Sequence, residues 1–269
     1  MDEGKQRVIG IVLVRNEERF VRQAVLNGLA LCDRMLLLDH GSSDGTREVL
    51  EELATQEAEK MMFRSIRHPR ESHELLKPYV GTATWIFGVD GDEVYDPLGL
   101  QAFRARLLAG DFDSHWMILG NVLHCDRVDA DENLASGYLA PPSRSITKLY
   151  NFAAIDSWDG DTPERLHGGR PVFRGGFSGQ DKRRLELEHA WDESPLRCLH
   201  ACFVSRSSLD SGVESRENIM ETYCGGWTNF LKRWGRRMLG HQETSDWKRQ
   251  RYARGGRVEV STRPFFPEP

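Results

Sequence analysis

The amino-acid sequence predicts an α/β fold on a doubly wound, mostly parallel, Rossmann-like sheet, with a less regular C-terminal half. Three observations carry this expectation. Val8–Val14, Met35–Asp39 and Trp85–Asp90 are nearly unbroken apolar runs, the pattern of strands buried on both faces. Amphipathic helical patterns separate the first runs. Each run also stops abruptly on polar or acidic residues, where open α/β sheets place their ligand crevice.

Taken in order, the first strand closes on Arg15-Asn16-Glu17-Glu18. Phe20, Val21, Ala24, Val25, Gly28, Leu29 and Cys32 then repeat at three and four residues, predicting a helix with one apolar face and Asn16 as its N-cap. The second strand ends at Asp39, and His40–Thr46 reads as a turn, with Asp44 capping a helix through about Gln56. Met61–Ile66 is a third strand, and Arg67–Val80 a loop with a short helix. Trp85–Val94 is the central stretch, a strand that runs into Asp90, Asp92 and Glu93 around Gly91. A helix is expected over about Leu98–Ala109, and strands over Trp116–Leu123 and Ser145–Phe152, the first an antiparallel addition to the sheet. Asp126–Pro142 reads as a mobile surface loop, Asn151–Gln180 as a Gly-rich loop region over a pocket, and the Pro-containing tail from Ser261 as disordered.

Composition bounds the function classes. The 269 residues are 39% hydrophobic and 29% charged, long enough for one large α/β domain without disulfides. A net charge of -5 gives no whole-chain case for nucleic acid. The polar Met1–Arg7 start resembles neither a signal peptide nor a membrane span, and five scattered cysteines without a Cys-x-x-Cys pair fit reduced thiols, so a cytoplasmic location is expected. Cys198 and Cys202 lie in a strand-like context and are not read as a metal site.

The strand ends decide the functional reading. Carboxyl ends of parallel strands share one sheet edge, which brings Asn16-Glu17, Asp39 and Asp90-Gly91-Asp92 into one crevice. Asp90 and Asp92, two apart, suit a divalent cation holding a diphosphate; a solvated acidic turn fits that stretch alone equally well. Asp39 could likewise serve only to cap the amides of its own turn. The turn after Asp39 is not Gly-x-Gly-x-x-Gly, and no Walker lysine follows, so dinucleotide and P-loop readings lose their support.

Val12–Glu18, Leu38–Thr46 and Val89–Glu93 together resemble family 2 glycosyltransferases over roughly the first hundred residues. The resemblance implies a GT-A fold, a UDP- or dTDP-sugar donor, a divalent cofactor (Mn2+ or Mg2+) and an inverting transfer. It implies that Asp39 contacts the nucleoside, that Val14, Asn16 and Glu17 help hold the base, that Asp90 meets ribose or a metal water, and that Asp92 binds the metal. It also suggests a late histidine as a further ligand. His200 fits that pattern, with a hydrogen-bonded core histidine as the plain reading and His189 as competitor; Arg206 could meet phosphate. An inverting transfer needs a base. No clear Glu-Asp pair stands at the family's usual distance; Glu164, followed by Asp161, is the candidate, against an acidic loop without catalytic role.

These readings give a single domain over residues 1–260, with 1–97 as the nucleotide-sugar half and 98–260 as the acceptor half, and a tail over 261–269. The acceptor is not specified. Trp227, Phe230, Leu231, Trp234, Met238 and Leu239 form an apolar stripe beside bases that continue to Arg257, a segment for packing on the sheet or for peripheral membrane contact. Two other functions stay in view: a non-catalytic nucleotide-sugar or membrane-surface module, and a sugar-nucleotide pyrophosphorylase, for which the Gly-rich activating loop is missing.

Overall fold

The computed structural model describes residues 6–159, 169–210 and 246–267. In chain order, β1 (Arg7–Val14), α1 (Val21–Leu29), β2 (Arg34–Asp39), α2 (Thr46–Gln56) and β3 (Met61–Ser65) alternate as predicted. Next come α3 (Arg70–Glu74), β4 (Thr84–Val89), β5 (Glu93–Tyr95) and α4 (Pro97–Leu108). The later strands are β6 (Met117–Leu119), β7 (Asn121–Asp129), β8 (Leu134–Ala140), β9 (Lys148–Asn151), β10 (Ile155–Asp159), β11 (Arg170–Phe173), β12 (Lys182–Arg184) and β13 (Arg197–His200). A short helix, α5 (Asp246–Tyr252), and β14 (Arg257–Val260) complete the described chain.

The main sheet has the order β12-β6-β9-β4-β1-β2-β3. β4, β1, β2 and β3 are parallel, and β9 joins antiparallel to both β4 and β6. Strand alternation divides the core in two. Val8, Val12 and Val14 of β1 pack with Met35, Leu37, Trp85, Phe87 and Val89 under α1, α2 and α4. Ile9, Ile11 and Leu13 face the other way, with Leu36, Leu38 and Ile86, onto Leu76, Trp116, Tyr150, Phe152 and Trp158. Burial on both faces is why these runs lack polar alternation.

The second sheet, β14-β8-β7-β13-β5, is where the structure departs most from expectation. Asp126–Pro142 is not a loop. It holds most of the β7–β8 hairpin, whose turn uses Asn133 at φ 53. The expected Trp116–Leu123 strand is cut at Gly120, where a Cβ would lie 2.1 Å from the Leu196 carbonyl oxygen. β6 therefore stays in the main sheet and β7 enters the second. Asn16 is no N-cap either. Its φ is 55, and α1 starts after Phe20 without a side-chain cap.

The expected disordered tail is also corrected. Phe265 is fully buried, stacks on Trp191 at 5.7 Å, and its carbonyl accepts from Asn27 Nδ2 at 2.8 Å. Thr262 and Phe265, the buried positions of the described tail, are too few and too Pro-flanked to show a pattern, whereas the fold supplies a hydrophobic slot. Phe265→Ala is expected to cost about 3–5 kcal/mol in urea unfolding; a loss under about 1 kcal/mol would mean the tail only rests on the surface.

Among the described residues no helix is long and apolar enough to cross a membrane. The apolar stripe from Trp227 to Leu239 lies outside the described residues. Of the bases beyond it, Arg257 pairs with Asp126 at 2.9 Å, and Arg249 lies over the Phe203 ring.

Candidate functional site

The parallel register sets the site. Val14 lies beside Asp39, and Val12 beside Val89, so the β1, β2 and β4 ends reach one edge together. The loops that follow are stitched to each other. Asn16 N–H donates to Ser42 Oγ at 3.0 Å, and Ser43 N–H donates to Asn16 Oδ1 at 2.8 Å. Glu17 N–H donates to Thr46 Oγ1 at 2.7 Å. Glu18 accepts from Gly45 N–H at 2.7 Å and Ser208 N–H at 2.6 Å; the bonds from Ser208, then that from Gly45, hold its carboxyl below the usual range.

Asp39 is 1% exposed, and its carboxylate accepts from the amides of Gly41 at 3.2 Å and Ser42 at 3.1 Å. Gly41 turns at φ 67, a conformation glycine adopts without steric cost. Asp39 thus caps the amides of its own turn.

The acidic tip divides. Asp90 is half-buried, with its N–H donating to Glu93 Oε2 at 3.2 Å. Glu93 also accepts from Tyr95 Oη at 3.2 Å and so braces the turn from inside. Asp92 is 1% exposed and forms an ion pair with Arg206, which also reaches Glu17 at 3.4 Å. Burial works to lower the Arg206 pKa, but Asp92 and Glu17 outweigh it and keep the guanidinium firmly charged. His200 Nε2 lies 3.5 Å from the same Asp92 oxygen. Gly91 makes this packing feasible: a Cβ there would sit 2.6 Å from Glu17 Oε2 and 2.7 Å from Val14 Cγ1.

Val14, Asn16, Glu17, Asp39, Asp90, Gly91, Asp92, His200 and Arg206 are thus gathered at or directly behind one sheet edge. Asp161 and Glu164 lie outside the described residues. His189 belongs to another place, where its carbonyl accepts from Asn121 Nδ2.

Two residues were not foreseen. His124 Nδ1 is 2.8 Å from His200 Nδ1 and 3.9 Å from Cys202 Sγ. Burial first, then neighbouring His200, pushes the His124 pKa down to about 3, so the ring is neutral. Burial raises the Cys202 thiol pKa well above the ordinary value. The missing signal was the second sheet: with Asp126–Pro142 read as a loop, nothing placed His124 beside His200.

A divalent cation fits the acidic edge on its donor chemistry. Asp90 and Asp92 are hard oxygen donors suited to Mg2+ or Mn2+. Glu17 and Asp92 converge on the Arg206 guanidinium, which places two buried carboxylates at the edge where a cation would sit.

No protein-family profile matches the chain. No curated protein sequence matches it either. Solved structures overlap with part of it. The mannosyltransferase of Pyrobaculum calidifontis, in complex with GDP-mannose and Mn2+, matches 47% of this chain and 39% of its own at 14% identity and a TM-score of 0.33. S. aureus TarS in complex with UDP matches 55% and 48% at 16% identity and 0.38. Glucosyl-3-phosphoglycerate synthase from Mycobacterium tuberculosis, in complex with phosphoglyceric acid, matches 56% and 59% at 17% identity and 0.31. The match spans less than two thirds of each solved chain. Such partial likeness is silent on the chemistry of the site.

Proposed function

We propose that the chain is a glycosyltransferase of the GT-A type that moves a sugar from a UDP- or dTDP-sugar to an acceptor with inversion. One observation carries the reading: the β1, β2 and β4 ends bring Asn16-Glu17, the Asp39 turn and Asp90-Gly91-Asp92 to one sheet edge. Open α/β sheets bind nucleotides at that position.

In this reading Val14, Asn16, Glu17 and the turn pinned by Asp39 form the base side of the crevice. Asp90 and Asp92 would hold Mn2+ or Mg2+, which when bound offsets charge on the departing diphosphate. His200 Nε2 orients Asp92 from behind. Arg206, suspended between Asp92 and Glu17, is the cation within reach of the diphosphate and adds to the stabilisation of the leaving group. Glu164, then Asp161, is the candidate base for the acceptor hydroxyl, on sequence grounds alone.

The reading is tested by incubating the full chain with Mn2+ and a panel of UDP- and dTDP-sugars and following nucleoside diphosphate release, with water as the slow acceptor. Release dependent on divalent metal is expected. Nucleotide binding without turnover on the whole panel would favour a binding module, and absence of nucleotide binding would overturn the proposal.

Gly91→Ala offers a separate check. The added methyl would force Glu17 and Val14 aside, a strain of about 1–3 kcal/mol. Calorimetry with UDP and Mn2+ should show affinity weakened by about tenfold. Unchanged affinity would place the nucleotide elsewhere.

A further inference from the structure

Behind the acidic edge, in the second sheet, three buried side chains converge. His124 of β7 and His200 of β13 are register partners on adjacent parallel strands, and Cys202 follows two residues later in a tight turn whose N–H donates to the His200 carbonyl at 2.8 Å. Their ligand atoms all lie within 4.8 Å of one another.

We propose that His124, His200 and Cys202 form a metal site of the zinc type, bound through the two Nδ1 atoms and the Cys202 thiolate and distinct from the donor-cation position at Asp90 and Asp92.

The distances are close to those a bound ion requires. Tetrahedral zinc, with bonds of about 2.0–2.1 Å to nitrogen and 2.3 Å to sulfur, sets ligand nitrogens about 3.3 Å apart and nitrogen about 3.6 Å from sulfur. The Nδ1–Nδ1 separation is 2.8 Å and the Nδ1–Sγ separation 3.9 Å. For these two pairs, shifts of about half an ångström reach the zinc spacing, and the third pair, His200 with Cys202, closes from no more than 4.8 Å.

The far sides of both rings supply an independent observation. A metal-binding imidazole characteristically donates its other N–H to a carbonyl or carboxylate, which sets its tautomer. His124 Nε2 lies at hydrogen-bond distance, 2.8 Å, from the Arg144 carbonyl oxygen, and His200 Nε2 faces the Asp92 carboxylate at the longer distance of 3.5 Å. Both rings thus aim Nδ1 at the shared centre. Tyr252 stacks on His124 at 4.5 Å and holds its plane.

Two imidazoles and a thiolate are borderline-to-soft donors, which select zinc or cobalt over Mg2+ and Mn2+. Binding displaces the Cys202 thiol proton to solvent, and three protein ligands leave a fourth position for water. The ion would also tie β7 to β13 and, through His200, steady Asp92 without touching it.

The test uses the tag-free full chain without nucleotide, so its outcome is independent of the donor reading. After dialysis against metal-free buffer, about one zinc per chain is expected. Cobalt exchange should give a near-ultraviolet thiolate-to-cobalt band, a wild-type signature that needs no substitution. Cys202→Ser should lose the band and the zinc, while Cys32→Ser and Asp90→Asn keep both. Asp92→Asn, altering the His200 partner, should weaken zinc affinity about tenfold. A wild-type chain that takes up no zinc, or cobalt without the thiolate band, overturns the proposal. So does zinc retained in Cys202→Ser and His124→Asn alike.

Discussion

Asp92→Asn is expected to weaken Mn2+-dependent UDP binding by about 100-fold or more, with metal-dependent turnover falling in step. Asparagine keeps the shape of the side chain and removes the charge. Asp92 is deeply buried, at 1% exposure, and receives both Arg206 and His200. In the variant Arg206 keeps only Glu17 among these carboxylates, so two cationic functions suffer together: retention of the divalent ion and placement of the guanidinium. Titration calorimetry with UDP, with and without Mn2+, separates them. Loss of the metal-dependent part alone assigns Asp92 to the ion. Weaker UDP binding without metal as well assigns it also to Arg206. Undiminished metal-dependent binding would remove Asp92 from the donor site.

Arg197→Ala should cost about 3–5 kcal/mol of folding stability, the range for leaving a buried charge without its partner. Arg197 and Asp96 are both nearly buried, joined by Nη2–Oδ2 and Nε–Oδ2 contacts of 2.9 and 3.1 Å. The same guanidinium donates to the Trp191 carbonyl at 3.0 Å and lies over the Trp191 and Phe265 rings. Asp96 also caps α4 through the amides of Leu98 and Gly99, so a repelled Asp96 would loosen that helix start. Urea unfolding measures the loss. The double variant Asp96→Asn, Arg197→Met should recover part of it, since no orphaned charge remains. A single-variant loss under about 1 kcal/mol would show the pair to be dispensable.

The two halves of the chain differed in how far they could be read. Val8–Val14, Met35–Asp39 and Trp85–Val89 announced themselves because strands buried on both faces must be apolar throughout, and the observed strands coincide with them closely. The hairpin over Asn121–Ala140 did not. Its second half alternates weakly, with Ser136, Gly137 and Tyr138 among the buried or half-buried positions, and its first half is interrupted by exposed Asp126 and Arg127. Gly137 reads as a breaker, yet a Cβ there would lie 2.0 Å from the His124 carbonyl oxygen, so the glycine is what allows the strands to approach. Missing the hairpin hid His124, and with it the reason for Cys202.

By itself the sequence determined the parallel α/β core and the acidic strand ends, because both follow from local pattern: long apolar runs fix what is buried, and their abrupt polar ends fix which edge carries the chemistry. Only the tertiary structure decided how those acids divide their work. Asp39 turns inward to its own amides, Asp92 is paired with an arginine 114 residues away, and His200 stands beside His124 across 76 residues. Such partnerships depend on strand register and sheet order, long-range quantities that no window of neighbouring residues encodes.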